Sequence, residues 1–119
     1  MFGYFSLERA DFRGASAQAL RRFPDSARRS AGYQLFTVQN GRQPDDWRPM
    51  PTISTGDCEI RITDASGAFR VIYCANMKDT LYVLHAFAKK SRTTAVKDLT
   101  LARRRFALAC ALARSQGHV

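Results

Sequence analysis

Four cations lie on or beside strand-like runs of this chain. Arg61 falls in Cys58–Ile62, Arg70 in Phe69–Ala75, and Lys89 and Lys90 follow Thr80–Ala88. A small sheet bearing such side chains can hold a phosphodiester backbone, because Arg offers a planar fork to phosphate oxygens and Lys a point charge. Glu59 shares a strand face with Arg61. It could take a proton, or it could orient a neighbouring guanidinium; the orienting role is preferred and both stay open. His85 is the one histidine in a patterned segment, since His118 lies in the tail. Its imidazole would suit acid–base work near neutral pH. By strand parity, however, it shares a face with Leu81, Val83 and Phe87, which reads as a core histidine. Tyr73 reads as core-facing too, with a hydroxyl within reach of the sheet edge.

The elements that must position these residues can be read from periodicity and turn chemistry. Residues 1–8 read as a loose extension before a short strand at Arg9–Arg13. Ser16 suits the cap of a helix running to about Arg22. Pro24 breaks that helix and suits the first position of a second, about Asp25–Gln39. Ala27, Ala31, Leu35 and Val38 line one face of the second helix, and Asn40-Gly41 ends it. Residues 42–56 hold three prolines and read as a loop, fastened by Trp47 and Met50. A three-strand meander follows, with turns at Asp64–Gly67 and Asn76–Asp79. Thr94 then suits the cap of a helix spanning about Ala95–Arg114, with Asp98 at its positive end. Its apolar stripe is Leu99, Ala102, Phe106, Ala109 and Leu112, and Arg103, Arg104 and Arg105 span most of its polar side. Residues 115–119 read as a loose tail. The fold class is α+β, one domain over 1–119: a mainly antiparallel sheet, two N-terminal helices and a C-terminal helix. Helices packed on one face would leave the other open and wet, carrying Arg61 and Arg70.

Composition narrows the partners. The 119 residues carry 19 Lys and Arg against 10 Asp and Glu, a net charge of +9 and a pI near 10.2. Such a surface concentrates polyanions. Nucleic acid is the first candidate, with an anionic membrane surface or an acidic protein as the others. Cys58, Cys74 and Cys110 are odd in number, widely spaced and without a CxxC pair, which argues against a zinc site or a disulfide framework. They read as small buried hydrophobes. No signal-peptide pattern and no long apolar run occurs, so a cytoplasmic protein without a membrane span is expected.

Several short segments, taken in order, resemble the RelE/HigB superfamily of bacterial toxins in its phage-derived HigB-like branch. They are Phe23-Pro-Asp25 with Arg28-Arg29, Ala31-Gly-Tyr-Gln-Leu35, Gln39-Asn-Gly41, Pro44-Asp-Asp-Trp47, Arg48-Pro-Met50, Glu59-Ile-Arg-Ile62, Phe69-Arg-Val-Ile-Tyr73, Tyr82-Val-Leu-His85 and Phe87-Ala-Lys-Lys90. The resemblance runs from about Ser16 to Arg105. It implies a RelE-like fold and a type II toxin that cleaves mRNA, often on the ribosome. It also implies a helix-turn-helix antitoxin partner in a hetero-oligomeric complex.

The implied reaction is attack of a ribose 2′-hydroxyl on the adjacent phosphate, with no metal or other cofactor. The resemblance places Arg70 at a phosphate-binding position, as the clamp on the transition state. Arg61 matches a strand position that is basic in related toxins. Glu59 matches a position that is Lys in some relatives, and this departure leaves the general base unassigned. Lys89 or Lys90 matches the basic residue that ends the third strand and touches the scissile phosphate. Lys90 is preferred, because Lys89 shares the parity of Val83 and Phe87; a bulge after Phe87 would reverse that. Arg92, Arg103 and Arg104 could grip RNA away from the cut. A non-catalytic RNA-binding relative and a gyrase-targeting relative are the competing readings.

Overall fold

The apolar spacing along 25–39 produces a fifteen-residue helix that buries Ala27, Ala31, Leu35 and Val38 against a sheet. The computed structural model describes residues 9–54, 56–77 and 80–115. The expected extension at 1–8, Lys78 and Asp79 of the second turn, and tail residues 116–119 lie outside these. Element order is β1 (Arg9–Phe12), α1 (Ser16–Arg21), α2 (Asp25–Gln39), β2 (Trp47–Pro49), β3 (Asp57–Asp64), β4 (Gly67–Met77), β5 (Thr80–Ala88) and α3 (Val96–Ser115). The five strands lie in the order β1-β5-β4-β3-β2. β1 pairs with β5 in parallel and every other pairing is antiparallel. The mixed α+β architecture is the expected one and is compatible with a small RelE-like fold.

Alternation along the meander divides its side chains between two apolar clusters. Ile60, Ile62, Phe69, Val71, Tyr73, Leu81 and Val83 join the buried face of α2. Ile72, Cys74, Tyr82 and Leu84 meet Ala102 and Ala109 of α3, with Leu99, Phe106 and Leu112 packed alongside. The expectation that helices leave one face wholly open is therefore corrected. The apolar stripe of α3 covers part of that face, and only the stretch around Arg61 and Arg70 stays open. The open stretch is polar because its positions on β3 are Glu59 and Arg61, which cannot join an apolar contact.

Two more local expectations are corrected. Residues 42–56 are not all loop: Trp47–Pro49 form an edge strand on β3, with Arg48 opposite Glu59. Pro49 is tolerated because an edge strand need not donate on its outer side. The expected caps are absent as well. Ser16 is already the first helical residue of α1, and its hydroxyl donates to the Val83 carbonyl at 3.1 Å, tying α1 to β5. The Thr94 hydroxyl makes no hydrogen bond at the start of α3.

The register break in β5 matters most for the site. Ile72 opposes His85, but the next residue, Tyr73, opposes Val83, leaving Leu84 as an extra residue. A bulge of this kind puts two successive side chains on the same side. Leu81 and Val83 face α2, whereas Leu84, His85 and Phe87 face the side of α3.

Candidate functional site

The bulge sets which cations converge. Beyond it Arg70 opposes Phe87, and the Lys89 amide donates to the Ala68 carbonyl at 2.8 Å. Lys89 therefore continues the row of Phe87 on the Arg70 face. Parity counted without the bulge favoured Lys90; with the bulge, Lys89 is half-buried beside Arg70 and Lys90 is exposed, and both line the groove. On the other side of β4, Arg70 stands directly opposite Arg61. The result is an open groove of about 410 Å³ lined by Arg48, Arg61, Ala68, Arg70, Lys89, Lys90, Ser91 and Arg92. Burial, and after it the neighbouring Arg70, pull the Lys89 ammonium below its usual pKa, with Glu59 offsetting part of this.

Glu59 anchors the groove floor. It is completely buried, and its Oε1 accepts from Arg48 Nε at 3.2 Å and lies 3.8 Å from Arg70 Nε. Its Oε2 has no hydrogen-bond partner. Arg70 also donates from Nη1 to its neighbour's carbonyl, Phe69 O, at 2.9 Å. Burial lowers the Arg70 pKa and Glu59 offsets part of that. The guanidinium stays charged, since its intrinsic pKa is far above neutral. Arg61 is held more loosely, 3.8 Å from Asp46 and half exposed. Buried charge with fixed partners below and exposed charge at the rim suits a polyanion that enters from solvent.

Most of the other expected residues fall outside the groove. Tyr73 lies in the α2 cluster, where burial raises its hydroxyl pKa beyond any working range. His85 is buried on the α3 side rather than with Leu81 and Val83. Its Nε2 sits 2.7 Å from Asp98 Oδ1 and its ring stacks on Phe87, centroids 4.9 Å apart. Burial lowers its pKa and Asp98 only partly restores it. That pair ties β5 to the first turn of α3. Arg103 donates to the Thr52 carbonyl and Arg105 to the Leu84 carbonyl, so these two fasten α3 rather than face solvent freely. Arg104 is exposed, away from the groove lining. Arg92 is at the groove. Among the described residues no group of three or more His, Cys, Asp or Glu is placed to hold a metal ion.

Arg48 was missed because its segment reads as a proline-rich loop. The signal that could have found it is the Trp-Arg-Pro triplet, an aromatic–basic alternation ending in an edge-strand proline. A second depression, on the outer side of α2, is lined by Tyr33, Phe36, Thr37, Asn40 and Arg42 and carries one cation. The basic groove is where charge could act on a phosphate.

The family model of phage-derived Gp49-like proteins (DUF891) matches residues 18–107. The chain belongs to this family. The match takes in α2, the whole sheet after β1 and half of α3, so every groove residue of this Gp49-like protein lies inside it. No curated protein matches the chain. No described helix is long and apolar enough to cross a membrane.

Proposed function

We propose that this Gp49-like protein is the toxin of a type II toxin–antitoxin pair in the HigB-like branch, and that it cleaves mRNA through 2′-hydroxyl attack. One observation carries the reading: Arg48, Arg61, Arg70 and Lys89 converge on one open groove around a buried carboxylate. Membership of a toxin-like, phage-derived family supports it. A pentacoordinate phosphorane carries more negative charge than the ground-state phosphodiester, so fixed cations stabilise the transition state preferentially. Arg70, nearly buried and tethered, is the transition-state clamp. Lys89 sits beside it as the second cation on the scissile phosphate, and Arg61 at the rim holds the strand. The chemistry asks no metal of these residues. Bases on either side would be splayed and met by planar side chains, as single-stranded RNA is usually read.

Expression in cells without the cognate antitoxin is the test. Growth arrest with new mRNA 5′ ends in translated regions is expected, and blocking ribosome loading should remove them if cutting is ribosome-associated. A folded, well-expressed protein that arrests nothing and cuts nothing would defeat the reading. The partner proposed is a helix-turn-helix antitoxin encoded beside it.

The two lysines give a sharper prediction. Lys89→Ala should lower cleavage about tenfold or more, whereas Lys90→Ala, whose charge is screened by solvent, should lower it less than threefold, by analogy with partly buried and exposed charge contacts. Single-turnover rates on one RNA distinguish them. Equal losses would mean that the bulge does not decide which lysine faces the phosphate.

A further inference from the structure

Glu59 is an unusual residue to find completely buried under a phosphate groove. An unpaired carboxylate there would cost several kcal/mol and would repel the substrate. Two arginines offset both difficulties in part, sharing Oε1 at 3.2 Å from Arg48 Nε and 3.8 Å from Arg70 Nε, while Oε2 has no hydrogen-bond partner. Both contacts use the Nε edge of the fork. The arginines differ in what remains: the Arg70 side chain is 9% exposed, whereas that of Arg48 is 50% exposed. Arg48 therefore has one edge fixed to the floor, and its half-exposed side chain leaves the terminal nitrogens without a hydrogen bond among the described residues and open to an anion from solvent. Its strand is an edge strand paired, among the described residues, with β3 alone, so the ion pair with Glu59 fixes the side chain's direction.

We propose that Glu59 is a positioning residue that aims Arg48 and Arg70 into the groove, and that Arg48 is a direct phosphate ligand for the RNA strand. This rests on the ribonuclease reading for its substrate, and it answers a question that reading leaves open, whether Glu59 is the general base. A general base must be within hydrogen-bond reach of the 2′-hydroxyl. Glu59 has no solvent exposure and its one engaged oxygen faces two guanidiniums. A carboxylate so placed holds cations and does not meet a hydroxyl. It also leaves the net charge of the floor at one unit positive, enough to bind a phosphodiester without trapping it.

The test uses the full chain and a uridine-rich 2′-O-methyl oligonucleotide, which carries phosphates but no attacking hydroxyl. Binding is measured against salt, and single-turnover cleavage of the unmodified RNA is followed against pH. Arg48→Ala should weaken binding about tenfold and flatten the slope of log affinity against log salt by about 0.7, one phosphate contact on a single strand. Glu59→Gln keeps an oxygen that can accept from Arg48 Nε and still face Arg70. It should hold binding within about threefold, retain most of the cleavage rate and leave the shape of the pH profile unchanged. Glu59→Ala frees both arginines and should lose binding and cleavage together. Should Glu59→Ala fail to fold, Arg48→Ala, at a half-exposed edge position, and Glu59→Gln still decide. Wild-type affinity and slope in Arg48→Ala would overturn the ligand role. Glu59→Gln with intact binding, cleavage down a hundredfold and a lost acidic limb would make Glu59 the base and overturn the positioning role. A wild type that binds the oligonucleotide but cuts no RNA would refute only the ribonuclease reading, and the binding arm would still judge Arg48.

Discussion

Arg70→Ala is expected to lower single-turnover RNA cleavage by about 10²- to 10³-fold, the usual loss when one preorganised donor to a developing oxyanion is removed. Arg70 is the one groove cation that is nearly buried, tethered to the Phe69 carbonyl and flanked by Glu59. Its donors need no reorganisation when charge builds on the phosphorane. The substitution has a second effect that must be separated from the first. It leaves Glu59 buried with Arg48 as its remaining partner, and breaking part of a buried ion-pair set is destabilising. Thermal unfolding of the variant sets the temperature at which its rate is compared. Arg70→Lys keeps the charge but not the fork, so it should bind RNA better than Arg70→Ala and still cleave slowly. A rate for Arg70→Ala within threefold of wild type, in a folded protein, would remove Arg70 from the mechanism.

The second large effect concerns stability. Asp57 begins β3 opposite Cys74, a member of the cluster that packs on α3, and is 1% exposed. Burial pushes its carboxyl up from 3.8 to about 7, and a contact with Cys74 offsets only part of this. The folded state therefore binds the Asp57 proton more tightly than the unfolded chain does. Its contribution to stability is fully present below the unfolded pKa near 4, declines as pH rises, and is lost once pH passes about 7. The linked cost at pH 8 is on the order of 4 kcal/mol. Asp57→Asn should accordingly raise the melting temperature relative to wild type at pH 8. The difference should shrink toward pH 4, because the amide cannot ionise in either state. The amide's own burial shifts both ends alike, so the slope is the diagnostic. Parallel melting-temperature curves for variant and wild type would show that Asp57 does not titrate in this window.

Much of the scaffold was legible because it rests on strong local patterns. The three- and four-residue spacing of Ala27, Ala31, Leu35 and Val38 specified α2 and its buried face. Alternation in 58–62 and 69–75 specified two strands and placed Arg61 and Arg70 side by side. What escaped depends on tertiary context. A three-residue edge strand among prolines has no periodicity of its own; it exists because β3 offers an unpaired edge. With β2 unseen, Arg48 was unseen too. The bulge at Leu84 has no signature in Leu-Tyr-Val-Leu-His, a run apolar on both faces, because β5 is buried on both sides. Losing one residue of register there moved His85 and Lys89 to the opposite face. Glu59 looked ambiguous in the sequence because a carboxylate's role depends on whether water reaches it.

The claim most in need of a direct test is that the groove promotes attack by the RNA's own 2′-hydroxyl. The measurement is the chemistry of the cut ends made by purified protein, on free RNA and on translating ribosomes, with a single 2′-deoxy substitution before the scissile phosphate as the comparison. The account predicts 5′-hydroxyl ends, 2′,3′-cyclic phosphates and complete loss of cutting at the substituted site. Ends bearing 5′-phosphate and 3′-hydroxyl, or undiminished cutting at the 2′-deoxy site, would contradict it.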